Sequence, residues 1–333
     1  MDTFELGNFR LTSGYTIPNA KLAYTTHGTL NAAKDNCVVF PNFLGGNDAA
    51  LEIYIGDGLG LDPAKYFIVL PGQFGNGFTS SPSNTPAPFD RGAFPQTTIA
   101  DDVIAQHRLL TEHFGIEQVA LVLGWSVGAL QTYEWAVRFA PMVKRMASIA
   151  GAPQPSPWTL HWLRTVIEEP IVTDPAWNNG FYAQATDVQA GLRRQGHCMA
   201  LTLPPLSYYH GDILQRLGFG SVQDFVRGFF EGFMIGQDPN NLLIQARKAL
   251  LADPSGGTGD MAAALGKITA KTYIAAFNGD VMFPPQDCVI DAQRIPGAQY
   301  REITSTSGHL TTFGLFPEDH QAVDAAIREA LAL

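Results

Sequence analysis

A serine is a poor nucleophile at neutral pH until a base takes its proton and a carboxylate orients that base. One serine in this chain is set for that chemistry. Gly124-Trp125-Ser126-Val127-Gly128 spells G-x-S-x-G, the spacing of a sharp strand-to-helix turn that lifts a seryl Oγ above a sheet edge. Glycines two residues to either side leave room where a Cβ would meet the neighbouring strand and helix. The amide of Val127, at the start of the following helix, can donate to a developing oxyanion with the helix dipole behind it. Two partners follow in the order Ser, Asp, His. Asp280 comes after Asn278-Gly279, and His309 comes after Ser307-Gly308. Taken singly, these are an inert serine in a structural turn, a turn aspartate and a loop histidine. Taken jointly, each at the end of a strand, they point to acyl chemistry through a covalent intermediate. Ser126 attacks, His309 moves the proton and Asp280 orients His309.

The elements that must hold these residues are readable as apolar runs. Val119–Leu123 is a buried strand entering the turn, and Leu130, Tyr133, Trp135, Ala136 and Val137 follow at mostly helical spacing until Pro141. Cys37–Pro41 and Tyr66–Pro71 read as buried strands, Ile99–Phe114 as an amphipathic helix and Met146–Ala150 as a further strand. Strand–helix–strand–helix–strand over 66–150 indicates a parallel sheet covered on both faces. The start, residues 4–27, has strand-type alternation broken by Ser13-Gly14 and Pro18-Asn19. Asn42-Phe43-Leu44-Gly45-Gly46 directly follows a central strand, where an enzyme of this type places its second oxyanion amide; a plain flexible turn fits those five residues as well. Residues 72–98 form a long loop rich in Gly, Pro, Ser and Asn.

Composition changes after Ala152. Pro153, Pro155 and Pro157 punctuate the chain, and up to about Gly266 it is helix-like and aromatic without convincing strands. The division expected is a sheet domain of residues 1–153 and 267–333 with a helical cap, 154–266, inserted in it. The sheet resumes with Lys271–Phe277, which ends near Asp280, and Gln299–Ile303, which ends near His309; Asp319–Leu333 closes the chain as a helix. Both partners of Ser126 thus fall at the carboxyl edge of one sheet, where open α/β sheets place their sites.

The bulk numbers exclude several classes. The formal charge is −10, which argues against a nucleic-acid surface or an anionic membrane partner. No run of about 18 apolar residues is present, and the acidic start MDTFELGNF carries no apolar signal-peptide core. Cys37, Cys198 and Cys288 are far apart and odd in number, as in reduced thiols of a cytoplasmic protein. No C-x-x-C or zincin histidine pair occurs, so no metal site is expected.

With these residues in view, the chain resembles the homoserine O-acetyltransferase family of α/β-hydrolase-fold enzymes. The resemblance covers nearly the whole chain. Its pieces are Asp62–Tyr66 with Phe67-Ile68-Val69, the serine turn with Gln131 and Glu134–Arg138, Asp174–Asn178 with Gly180 and Tyr182, Gly259–Leu265, Asp280–Pro285, and Ile295–Ala298 with Gly308-His309. In that family the serine takes an acyl group from acyl-CoA and passes it to an amino-acid hydroxyl. The resemblance implies Ser126 as nucleophile, Asp280 as acid, His309 as base, the amides of Leu44 and Val127 as oxyanion donors, and a homodimer built through cap helices.

The departures redirect the reading. The family follows its histidine with an aspartate that holds the acceptor's ammonium, and here Leu310 stands there. Its cap arginine and tyrosine, seven residues apart, fall on Gly196 and Leu203, with Arg193 and Arg194 close by. Trp125 replaces the usual glycine before the serine. A charged amino acid is worth burying only against paired charges. The acyl engine is present and the homoserine clamp is gone, so the expected activity is hydrolysis of a small-molecule ester, with water as acceptor and no cofactor. Trp125, Leu310 and Gly45 are expected to touch that substrate. The alternatives are an O-acyltransferase, which would need acyl-CoA as co-substrate, and a non-catalytic binding protein on the same scaffold.

Overall fold

Three central strands are apolar at every position and buried at every position: β3 (Cys37–Val39), β4 (Phe67–Pro71) and β5 (Leu121–Trp125). Strands covered on both faces require that composition. The computed structural model describes residues 1–333. One eight-stranded sheet runs in the order β1-β2-β4-β3-β5-β6-β7-β8. The amino-terminal strands β1 (Asp2–Arg10) and β2 (Thr16–His27) pair antiparallel with each other, and β2 pairs antiparallel with β4. From β4 onward all pairs are parallel, through β6 (Arg145–Ile149), β7 (Lys271–Phe277) and β8 (Gln299–Ile303).

The pleat sorts side chains between two cores. Val39, Val69 and Val122 enter the larger one with helices α1 (Ile99–Arg108) and α2 (Val127–Arg138). Val38, Ile68, Leu121, Leu123 and Trp125 enter the smaller one, closed by Val323, Ala326, Ile327 and Ala330 of the last helix, Pro317–Ala332. Thr98 and Asp101 form a reciprocal capping box that starts α1. The single helix expected over 99–114 changes character: after Arg108 the chain makes a π-helical turn, Leu109–His113.

Between β6 and β7 the chain is helical, with α3 (Pro157–Trp162), α4 (Gln189–Thr202) and α5 (Pro239–Leu250) as landmarks and π-helical turns at Leu163–Glu168 and Val226–Glu231. Helix α5 carries an unusual load for a helix in such a segment. Asn240, Asn241, Gln245 and Lys248 on it are all buried; the last three bond into the loop that follows β4, Asn241 to Ser83, Gln245 to the Gly75 carbonyl and Lys248 to the Phe74 carbonyl. The long 72–98 loop is therefore fixed by a helix more than 140 residues away along the chain. No helix is long and apolar enough to cross a membrane.

Candidate active site

Ser126 lies between the end of β5 and the first residue of α2, with φ 53° and ψ −127°. A serine in that region is strained, and the strain aims its side chain away from the sheet. The flanking glycines make the turn possible. A Cβ on Gly124 would lie 2.4 Å from the Gly128 carbonyl oxygen, and one on Gly128 would lie 2.6 Å from the Pro41 carbonyl oxygen. The second contact also presses α2 onto the loop that follows β3.

Asp280 and His309 leave the ends of β7 and β8. The Asp280 carboxylate is fixed at both oxygens. Oδ1 accepts from the amides of Met282 (2.8 Å) and Phe283 (3.0 Å), and Oδ2 accepts from His309 Nδ1 at 2.8 Å. With Nδ1 holding a proton for the carboxylate, the neutral imidazole presents an unprotonated Nε2, the form a general base needs. The loops meet closely because residue 308 is glycine: its φ is +54°, and a Cβ there would lie 2.9 Å from the Gly279 carbonyl oxygen. Asp319 braces the histidine loop from below, accepting from Ser307 Oγ at 2.6 Å, and Tyr208 donates to the same serine at 3.1 Å.

Ser126 and His309 line one cavity of about 40 Å³. The structure forms the His309–Asp280 hydrogen bond and none between His309 and Ser126; such bonds are commonly long until substrate is in place. The remaining walls are Phe43, Leu44, Trp162, Ile167, Met199, Leu203, Phe233, Met282 and Phe313. The amide of Leu44 has no hydrogen-bond partner, and that of Val127, as the first in its helix, has no carbonyl one turn earlier. Leu44 lines the cavity with Ser126, Val127 follows the serine directly in the chain, and both amides are free to donate.

Three residues expected to touch substrate do not line this cavity. Trp125 follows the alternation of Leu121 and Leu123 to the far face of the sheet, where it packs edge-on against Phe40 and Tyr54. Leu310 turns into the larger core and is 1% exposed. Gly45 faces the side chains of Leu242 and Phe233, and its amide and carbonyl are taken by Gln245 and Gln237. Of the two positions that would carry the family's clamp, Leu203 is in the cavity wall, whereas Gly196 packs against the Phe230–Glu231 backbone. Arg193 pairs with Glu231, away from the cavity. Trp162, Ile167, Met199 and Phe233, from the helical segment between β6 and β7, carry no motif to mark them, because the aromatic and aliphatic content of a helical core and of a pocket wall is the same.

Residues 43–313 match the family model of the alpha/beta hydrolase fold. The chain is 42% identical to an ethyl acetate hydrolase of Pseudomonas veronii, over 99% of this chain and 95% of that one. It superposes on the crystal structure of an acetylester hydrolase from Corynebacterium glutamicum with a TM-score of 0.96 at 37% identity, covering 100% of this chain and 96% of that one. It is 32% identical to a homoserine O-acetyltransferase of Methanobrevibacter ruminantium, over 92% of this chain and 69% of that one. A mostly parallel eight-stranded sheet, a serine on a strained strand-to-helix turn and full-length similarity to both esterases and homoserine acetyltransferases leave one assignment: the chain belongs to the α/β-hydrolase-fold family, within its homoserine O-acetyltransferase-like group.

Proposed function

We propose that this protein is a serine carboxylesterase that hydrolyses short-chain acyl esters, acetyl esters foremost. Ser126 Oγ attacks the ester carbonyl while His309 Nε2 takes its proton. The Leu44 and Val127 amides receive the oxyanion, and Asp280 holds the imidazolium that forms. Collapse expels the alcohol, which takes its proton from His309. Water then repeats the sequence on the acyl-enzyme, releasing the acid and restoring Ser126. This chemistry draws on side chains and backbone amides alone and asks for no cofactor. In the same reading residues 154–266 act as the cap over a sheet domain of 1–153 and 267–333.

One observation carries the proposal. Apart from Ser126 and His309, every residue lining the cavity is apolar. Burying the ammonium and carboxylate of an amino-acid acceptor there would leave both charges unpaired, at a cost of several kcal/mol each. An uncharged ester meets no such penalty. The size supports a short acyl group, since a water-sized group needs about 10–15 Å³ by this measure and the cavity of about 40 Å³ then suits an acetyl group. The names of the ethyl acetate and acetylester hydrolases agree with that class.

A ladder of p-nitrophenyl esters tests the reading. Acetate should be the best substrate, with kcat/KM more than about 10-fold lower for hexanoate. Acetyl-CoA with homoserine should give no O-acetylhomoserine. Transfer to homoserine faster than ester hydrolysis would overturn the proposal in favour of the acyltransferase.

The homodimer implied by the family resemblance is also proposed. Leu201 and Leu206, at the carboxyl end of α4 and just beyond it, are 81% and 74% exposed, which supports an apolar contact made by the cap. Sedimentation velocity should show a species of twice the 36.1 kDa chain mass; a monomer at micromolar concentration would refute it. The free thiols of Cys37, Cys198 and Cys288 support a cytoplasmic location.

A further inference from the structure

The backbone of the oxyanion loop is held by four glutamines from three separate parts of the chain. Gln131 Nε2 donates to the Asn42 carbonyl at 3.1 Å, and Gln73 Nε2 to the Phe43 carbonyl at 2.9 Å. Gln245 Oε1 accepts from the Gly45 amide at 2.9 Å, and Gln237 Nε2 donates to the Gly45 carbonyl at 3.2 Å. The Leu44 amide has no partner, and Leu44 lines the cavity together with Ser126.

Phe43 C=O and Leu44 N–H belong to the same peptide unit. That unit is planar and trans, so its carbonyl and amide point in opposite directions. Fixing the carbonyl fixes the amide. A donor on the carbonyl also polarises the peptide and makes its N–H a stronger donor. Gln73 is fully buried, and its Nε2 lies 3.3 Å from Gln245 Oε1, which simultaneously holds the next peptide. Its own Oε1 has no partner. An orphaned buried acceptor costs stability, yet a leucine or methionine of similar volume does not occupy the site.

The geometry points to Gln73 as the positioning residue of the oxyanion hole: it aims the Leu44 amide at the reacting carbonyl, with Gln245 of α5 locking Gln73 and Gly45 together. The inference rests on the reading of Leu44 as an oxyanion donor. It adds that the donor is set by a side chain on the opposite side of the peptide and by a helix from the segment between β6 and β7. Stabilisation that acts only on the oxyanion belongs to the transition state, so its loss appears in kcat and leaves KM alone.

Phe43-Leu44 is the sole Phe-Leu pair in the chain, so carbonyl-¹³C phenylalanine with ¹⁵N leucine isolates the Leu44 amide as a single NMR signal. In the wild type that signal should shift downfield when a trifluoromethyl ketone forms its tetrahedral adduct on Ser126. Gln73→Met should lower kcat for p-nitrophenyl acetate about 10- to 100-fold, a part of what losing an oxyanion donor costs. KM should stay within about threefold, the inhibitor should bind weaker by the same factor as kcat falls, and the downfield shift should shrink. Gln245→Met should give a smaller loss of the same kind, and it serves as the second variant if Gln73→Met fails to fold. A Leu44 signal that ignores the adduct in the wild type overturns the oxyanion reading itself. A wild-type shift retained in full by the Gln73 and Gln245 variants, with kcat unchanged, overturns only the positioning role.

Discussion

Ser126→Ala is expected to lower kcat for p-nitrophenyl acetate by about 10³- to 10⁶-fold, and to abolish labelling by a fluorophosphonate. The size follows from what the substitution removes. No other hydroxyl or thiol lines the cavity, so no second side chain can form the acyl-enzyme. What survives is binding in an apolar pocket and two backbone amides, which can assist direct attack by water only weakly. KM should change little, because the walls that contact the acyl group are untouched. Stability should change little as well, since alanine keeps the backbone and the Oγ that is lost makes no cap hydrogen bond to the helix that follows. The measurement is steady-state kinetics with a melting curve on the same preparation. A folded variant that retains activity within about tenfold of the wild type would remove the nucleophile from the scheme, and with it the roles given to His309 and Asp280.

The parts of this site legible from residue order are those whose geometry is local. G-x-S-x-G sets a turn within five residues, and the distance of Gly128 from the Pro41 carbonyl explains why that position tolerates no Cβ. Asp280 and His309 could be placed because each ends a strand whose apolar run is plain, and Gly308 lets the two loops approach. Trp125 was legible too, in a way the motif obscured. It stands in register with Leu121 and Leu123, so the pleat sends it to the far core and not to the substrate. The glutamines were not legible. Gln73 and Gln245 each touch the oxyanion loop from 30 or more residues away, and amide side chains carry no periodicity that betrays a buried partner. The π-helical turn after Arg108 was hidden for a related reason: an amphipathic run looks alike whether its hydrogen bonds span four residues or five.

Lys248→Met should destabilise the protein by about 3–5 kcal/mol, the usual cost of stripping one partner from a buried ion pair. Lys248 Nζ and Asp102 Oδ2 are 2.6 Å apart, and both side chains are fully buried. Burial pushes the Asp102 carboxyl up to about 6 and pushes Lys248 below its ordinary value, while their mutual attraction opposes both shifts. Their close contact inside the protein holds them as an ion pair. Removing the ammonium therefore leaves a carboxylate in a dry site, held only by the Phe74 amide at 2.7 Å, and it must either take up a proton or open the structure to water. Asp102→Leu together with Lys248→Met removes both charges and should recover much of the loss, so a double-mutant cycle in urea separates the pair's coupling from simple loss of packing. Equal losses in the single and double variants would show that packing, not charge, is what the pair supplies. The pair also reaches the chemistry. Lys248 donates to the Phe74 carbonyl at 2.7 Å, so together the two side chains grip both polar groups of the residue next to Gln73. A single charge removed from α5 should then loosen the anchor of the oxyanion peptide, and the surviving folded fraction of Lys248→Met should show reduced kcat at nearly unchanged KM.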